Sequence, residues 1–157
     1  DLTGLAALAK NRALCVRFIE MMPIGLGRDF RTMDNGTVFG RLSAVFGEPL
    51  PSARKYGNGP ARYYEFPGFA GSVGFISALT DGFCGGCNRV RLTSDGRLMP
   101  CLCGREAYDL KKLARGGGSR EELAGEIRSA IACKPFRHHL GDPDGGVKER
   151  NMVQIGG

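Results

Sequence analysis

The feature that most constrains this chain is a set of three cysteines in the pattern C-x2-C-x13-C, formed by Cys84, Cys87 and Cys101. The two-residue gap within the first pair lets both thiolates reach one metal centre from a tight loop. The gap residues, Gly85 and Gly86, lack a Cβ atom and leave that loop free to turn. The pattern therefore predicts a metal-binding knuckle whose third thiolate comes from farther along the chain.

A hairpin predicted after the cysteine pair would return Cys101 to it, and the length of its turn decides the pairing. A two-residue turn sets Cys101 opposite Val90. A three-residue loop with Gly96 in the left-handed region sets it opposite Arg89. Because side chains alternate between the faces of a strand, the second register places Arg89, Arg91 and Cys101 on one face. We expect this register, since it places positive charge beside the thiolates.

Ligand rules leave three interpretations of the cysteine pattern open. Structural zinc takes four ligands, and Cys103 could complete the set, although it forms an unusual C-x-C pair with Cys101. An iron–sulfur cubane held by three cysteines keeps one iron open to an outside ligand. The third interpretation is that the cysteines bind no metal.

Composition narrows the class of protein. The 157 residues are enough for one domain with its own core, and no apolar run approaches the length of a membrane span. The net charge is +6, but no basic run is interleaved with aromatic residues, so no nucleic-acid partner is predicted. A C-x2-C pair in a chain of this size favours metal binding over disulfides, and hence the reducing cytoplasm. The sequence leaves a homodimer open.

The opening residues are typical of the end of an α/β barrel. Apolar residues recur at helical spacing over residues 2–10, and residues 13–19 then form a nearly continuous apolar run of strand length. Strands that are apolar on both faces belong to parallel sheets covered by helices. The chain begins in mid-pattern without methionine, as a fragment would. The predicted class is therefore α/β, with residues 1–24 as the last helix and strand of a partial barrel.

Arg17 interrupts this apolar strand. A buried charge without a partner is very costly, so the structural interpretation pairs Arg17 with Glu20 or Glu65.

The rest of the chain, residues 25–157, combines helices with short strands. Helices are predicted over residues 37–46, 106–113 and 119–132, and strands over residues 61–66 and 72–77. Thr37 is the expected cap of the first helix, and Ser119 with Glu122 forms a capping box for the last one. The two strands are expected to join the cysteine hairpin in one small antiparallel group.

The segment FCGGCNRVRLTSDGRLMPCL, residues 83–102, closely resembles the C-terminal cluster motif of the radical-SAM GTP 3′,8-cyclases, the molybdenum cofactor biosynthesis protein A family. VRFIEMMPIG near the start, GFISALTDGFC before the cysteines and the closing IGG extend the resemblance over nearly the whole chain. It implies the C-terminal half of such an enzyme. In that family an incomplete, TIM-like α/β barrel is closed at its mouth by a small antiparallel sheet with helices.

The resemblance also implies the chemistry. The family converts GTP to 3′,8-cyclo-7,8-dihydro-GTP, in the first step of molybdenum cofactor biosynthesis, by radical S-adenosylmethionine chemistry. The N-terminal half of the family binds S-adenosylmethionine and one [4Fe–4S] cluster through a C-x3-C-x2-C motif, which this chain lacks. Cys84, Cys87 and Cys101 would hold a second [4Fe–4S] cluster whose open iron meets the guanine of GTP. Without its N-terminal half, the chain should be inactive.

Five residues match substrate-binding positions of the family, and no catalytic residue is assigned. Arg17, Arg89 and Arg91 match arginines placed for GTP and its charge. Gly156 and Gly157 match a double-glycine tail that enters the active-site region.

Cys103 departs from the family, which has an aromatic or aliphatic residue at this position. A fourth thiol nearby would close the open iron. In an extended strand, however, the C-x-C pair points to opposite faces, so Cys103 is expected to stay apart. A zinc-stabilised structural module with all four cysteines remains the alternative. The roles of Cys103 and of His138 and His139 are left open.

Overall fold

The computed structural model describes residues 1–54, 56–104, 106–138 and 140. They fall into two compact units. One comprises Asp1–Met21 and Arg31–Phe83, and the other comprises Met22–Phe30 and the described residues from Cys84 onward. The division expected between residues 24 and 25, after the last helix and strand of a partial barrel, stays a prediction. Within the described ranges, no helix is long and apolar enough to cross a membrane.

The first unit contains two helices and a four-stranded sheet. Its elements are α1 (Leu2–Ala7), β1 (Cys15–Ile19), α2 (Asn35–Phe46), β2 (Leu50–Pro51), β3 (Arg62–Glu65) and β4 (Ser72–Ile76). The order across the sheet is β1-β4-β3-β2; β1 runs parallel to β4, and the other neighbours are antiparallel.

The second unit contains a three-stranded antiparallel sheet and two helices. Its elements are β5 (Arg91–Leu92), β6 (Arg97–Met99), β7 (Tyr108–Asp109), α3 (Leu110–Arg115) and α4 (Arg120–Ala132), with short 3-10 turns at Gly25–Asp29 and Cys84–Gly86. The mixed α/β class is thus confirmed. The prediction that β3, β4 and the cysteine hairpin form one antiparallel group is wrong. β4 pairs with β1 and β3 at its two edges, and the hairpin strands β5 and β6 belong to the other sheet.

Two helix starts differ from the sequence prediction. Asp34, not Thr37, caps α2: its carboxylate accepts the backbone N–H of Thr37 at 2.7 Å, so the helix begins one turn earlier. The helix expected from residue 106 begins only after Asp109, whose carboxylate caps α3 through the N–H of Lys112 at 2.8 Å. The capping box of Ser119 and Glu122 on α4 is confirmed.

The core of the first unit lies between its helices and one face of its sheet. Buried side chains from α1, α2, β4 and the segment after β3 form it: Ala6, Val38, Leu42, Phe66, Val73 and Phe75. Of the two parallel strands, only the central β4 is buried along most of its length. The prediction that the opening strand is buried on both faces is wrong. β1 lies at the edge of the sheet, where Leu14 is 43% and Ile19 is 58% exposed.

The buried carboxylate of Glu20 joins three segments of the first unit. It accepts backbone N–H bonds from Asn35 at 3.0 Å, Leu79 at 2.7 Å and Thr80 at 3.0 Å, and a further bond from the Thr80 hydroxyl. Burial by itself raises the pKa of Glu20. The bonds from Thr80, Asn35 and Leu79 together outweigh it and hold the pKa below its ordinary value of 4.5.

We expect Glu20→Gln to lower the free energy of unfolding by roughly 2 to 3 kcal/mol at neutral pH, because an amide nitrogen cannot accept these bonds. The folded-state pKa of Glu20 is depressed, so its contribution is fully present above pH 4.5 and is lost as the pH falls through the folded-state value. Urea unfolding followed by circular dichroism at several pH values measures both effects. The matched control is Glu65→Gln, which changes an exposed carboxylate; equal losses in the two variants would contradict the assignment.

Candidate functional site

The hairpin that carries the third cysteine has the expected three-residue loop. Arg91 pairs with Met99, and the N–H of Thr93 donates to the carbonyl of Arg97 at 2.9 Å. Gly96 has a φ of 82°, the left-handed conformation that this loop requires. The predicted register is therefore confirmed, although the ladder is shorter than predicted. Arg89 and Cys101 follow just beyond its last pair.

The first two cysteines lie on a single tight turn. The N–H of Cys87 donates to the carbonyl of Cys84 at 3.0 Å, closing a 3-10 turn around Gly85 and Gly86. Both thiols are half-buried, and all six cysteines of the chain are free. The turn presents two thiols from one short loop, as the C-x2-C spacing predicts.

Cys103 lies against Cys101, contrary to the expectation that the pair would diverge. Residues 101–104 form a turn rather than an extended strand, since the N–H of Gly104 donates to the carbonyl of Cys101 at 3.3 Å. The N–H of Cys103 donates to the Sγ of Cys101 at 3.4 Å. Side-chain hydrogen bonding from Cys103 lowers the pKa of Cys101 to about 6, with backbone donors and Lys134 acting in the same direction against burial. The same thiol contact, together with burial, raises the pKa of Cys103.

A cation that the sequence analysis did not predict lies beside the loop of Cys84 and Cys87. It is Lys134, just beyond the end of α4. Its Nζ donates to the carbonyl oxygen of Arg89 at 2.6 Å and to the Sγ of Cys87 at 3.8 Å. The contact spans 47 positions of the chain, so no local pattern could have found it. It ties the end of α4 to the loop that holds the thiols.

The residue types of this donor set suit an iron–sulfur cluster. Thiolates are the usual ligands of such clusters, and the lowered pKa of Cys101 keeps that thiol largely ionised at neutral pH. Lys134 adds positive charge and an N–H donor next to Cys87. Across the described ranges, no three His, Cys, Asp or Glu side chains converge closely enough to hold a single metal ion.

Arg17 lies on the exposed side of β1, in the first unit, and not in a buried ion pair. Its guanidinium lies 5.5 Å from the centre of the Tyr63 ring, and its Nη2 donates to the carbonyl of Tyr56 at 3.5 Å. The partners expected for it are engaged elsewhere: Glu20 as described above, and Glu65 with Ser52 at 2.7 Å. The ion-pair expectation was wrong because the strand is not buried on both faces.

The remaining predicted site residues belong to the second unit or lie outside the described residues. Arg89 is exposed and Arg91 half-buried. The positive charge of Arg91 opposes the rise in the pKa of Cys103, so Arg91 lies near that thiol. Gly156, Gly157 and His139 are not among the described residues, so the role expected of the glycine tail stays a prediction. His138 accepts the N–H of Leu140 on its Nδ1 at 3.3 Å.

The first unit also contains a cavity of about 260 Å³ beside the N-terminus of α2. Its walls combine Phe39, Tyr64 and Phe75 with a 2.7 Å ion pair between Arg62 and Asp81. The aromatic rings contact one another edge to face or tilted, and Asn35 donates to Ser77 at 3.0 Å. These polar groups satisfy one another, and none points to a particular ligand.

Comparison with known proteins finds a matching family model and relatives that align with the whole chain. Residues 14–140 match the family described as Molybdenum Cofactor Synthesis C. Proteins named GTP 3′,8-cyclase from Pelotomaculum thermopropionicum and Desulforamulus reducens are each 42% identical over 160 residues. The protein of that name from Heliobacterium modesticaldum is 41% identical over 163 residues. Each alignment covers 100% of this chain and 49% of the relative, so the chain spans about half the length of these relatives.

The family match covers most of the chain and includes all four cysteines of the site. It confirms the relationship predicted from the cysteine motif. The chain belongs to the Molybdenum Cofactor Synthesis C family.

Proposed function

We propose that this chain is the C-terminal, cluster-binding and GTP-binding half of a GTP 3′,8-cyclase. Such an enzyme forms 3′,8-cyclo-7,8-dihydro-GTP by radical S-adenosylmethionine chemistry, as the first step of molybdenum cofactor biosynthesis. The observation that carries the proposal is the alignment of proteins named GTP 3′,8-cyclase with the entire chain, cysteine hairpin included.

Three thiolates of the second unit would hold a [4Fe–4S] cluster: those of Cys84, Cys87 and Cys101. When bound, the cluster supplies one iron with a free coordination position for the guanine of GTP. The protein's own contribution is to present these thiols from one tight turn and one hairpin, with a cation beside them. The tight turn at Cys84 and Cys87 and the ammonium of Lys134 next to Cys87 support this.

Three arginines would bind the charged part of GTP. Arg17, Arg89 and Arg91 each carry a planar guanidinium, which matches phosphate oxygens with paired N–H donors. The exposure of Arg17 and Arg89 supports this role, because a guanidinium locked in an internal ion pair would have few donors left for a ligand.

The edge of the first sheet supports the partial barrel. Among the described strands, β1 pairs with β4 alone, and one of its backbone edges is open. Apolar side chains of α1, its C-terminal cap and β1 are also exposed, including Leu5, Leu8 and Ile19. We propose that the N-terminal half of the enzyme adds a strand beside β1 and covers these residues, which would continue the sheet toward a barrel.

Replacing Cys84, Cys87 or Cys101 with alanine should abolish incorporation of this cluster after anaerobic reconstitution. Each loss removes one of only three protein ligands. Cys103→Ala, the matched control, should retain the cluster. Iron and sulfide per chain are the measurements, in the complete enzyme. Unchanged iron in Cys101→Ala would refute the assignment, and colourless stoichiometric zinc that requires all four cysteines would favour the zinc-module alternative.

Each of Arg17→Ala, Arg89→Ala and Arg91→Ala should weaken GTP binding to the complete enzyme by at least about tenfold, because each removes charged hydrogen bonds to phosphate. Isothermal titration calorimetry gives the dissociation constant, and the iron content should not change. Arg128→Ala removes an exposed arginine of α4 and serves as the control. A similar loss in that variant would mean that general surface charge, not these three positions, attracts GTP.

On its own, the 157-residue chain should not cleave S-adenosylmethionine, because it lacks the C-x3-C-x2-C motif. The measurement is 5′-deoxyadenosine formed under reducing, anaerobic conditions. The control is the same chain mixed with the N-terminal half of the enzyme, and this mixture should form 5′-deoxyadenosine. If the chain alone forms 5′-deoxyadenosine above the protein-free background, the N-terminal half is not required for cleavage and the prediction is wrong.

A further inference from the structure

Three residues form a row across the first sheet, on the face that points away from the core. In the strand register, Arg17 of β1 lies opposite Gly74 of β4, and Gly74 lies opposite Tyr63 of β3. The flanking residues of β4, Val73 and Phe75, point into the core, so Gly74 faces the other way. The central position of this row therefore has no side chain.

The missing side chain at Gly74 lets its two neighbours approach each other. A Cβ atom at this position would lie 2.8 Å from Cε1 of Tyr63 and 3.3 Å from Cγ of Arg17. Gly74 has no left-handed φ, so its backbone would accept alanine. The glycine is needed for the space above it, not for its conformation.

The Tyr63 ring occupies part of that space and supports the guanidinium of Arg17, whose carbon lies 5.5 Å from the ring centre. The ring of Tyr56 packs against the Tyr63 ring, with 4.8 Å between the ring centres. Tyr56 is itself held, because the hydroxyl of Ser72 donates to its phenolic oxygen at 3.0 Å, while its carbonyl accepts from Arg17.

We propose that Tyr63 and Gly74 are positioning residues for Arg17, which hold its guanidinium in place before GTP binds. The inference rests on the proposed role of Arg17 in binding the phosphates of GTP. An arginine over an aromatic ring keeps its N–H edges available for oxygen ligands. Ordering the long side chain in advance removes a cost that binding would otherwise include. Gly74 provides the gap, and Tyr63 provides the supporting surface.

The test measures the dissociation constant of GTP for the complete enzyme by calorimetry, in five variants. Tyr63→Leu should weaken binding by about two- to fivefold, the range of an exposed cation–π contact. Tyr63→Phe keeps the ring and should bind as the parent does. Gly74→Ala should weaken binding by displacing Arg17 or Tyr63. Arg17→Ala sets the largest loss, and Tyr63→Leu combined with Arg17→Ala should bind no more weakly than Arg17→Ala alone.

The outcomes separate this inference from the proposed function. If Arg17→Ala itself leaves GTP binding unchanged, the proposed role of Arg17 fails, and this inference fails with it. If Arg17→Ala weakens binding but Tyr63→Leu does not, the inference alone is overturned. Equal losses in Tyr63→Leu and Tyr63→Phe, or additive losses in the double variant, would also overturn it. Thermal melting of each variant identifies losses that come from unfolding. Should Gly74→Ala fail to fold, the Tyr63 variants decide the question.

Discussion

The first unit depends on one buried carboxylate. Glu20 ends the edge strand, and its oxygens bind the first turn of α2 and the segment that follows β4. These segments are distant in sequence, and their N–H groups would otherwise lack these partners in a buried or partly buried region. A single ionised side chain satisfies them together, and its charge makes each bond stronger than a neutral one. The segment held in this way continues directly into Phe83 and the first cysteine of the knuckle.

Local chemistry could be predicted from the sequence, and long-range pairing could not. The three-residue loop was expected because its register places positive charge beside the thiolates, and the left-handed φ of Gly96 agrees with it. The α4 cap followed from the spacing of Ser119 and Glu122. The parallel partner of β1 was missed, since an apolar strand of five residues does not specify which strand it pairs with. Lys134 was missed for the same reason, as its contact with Cys87 depends on tertiary structure.

Some errors came from choosing between two plausible local states. Asp34 and Thr37 are both good cap residues one turn apart, and the carboxylate that accepts the Thr37 N–H defines the earlier start. Cys103 was placed away from Cys101 on the assumption of an extended chain. The turn that brings them together is closed by Gly104, which follows the C-x-C pair directly. In that turn, the hydrogen bond between the two thiols lowers the pKa of Cys101 and raises the pKa of Cys103.

The open edge of β1 has a consequence for how such a protein could be divided. An unpaired strand edge offers a row of backbone donors and acceptors that any strand of suitable length can join. Burial of an exposed apolar residue of β1 such as Ile19 would make that joining favourable in water. Two separate polypeptides could therefore reassemble along this line without a covalent link, as in a split reporter. An edge of this kind that stays uncovered is also a site at which polypeptide chains aggregate, so covering it serves solubility as well as assembly.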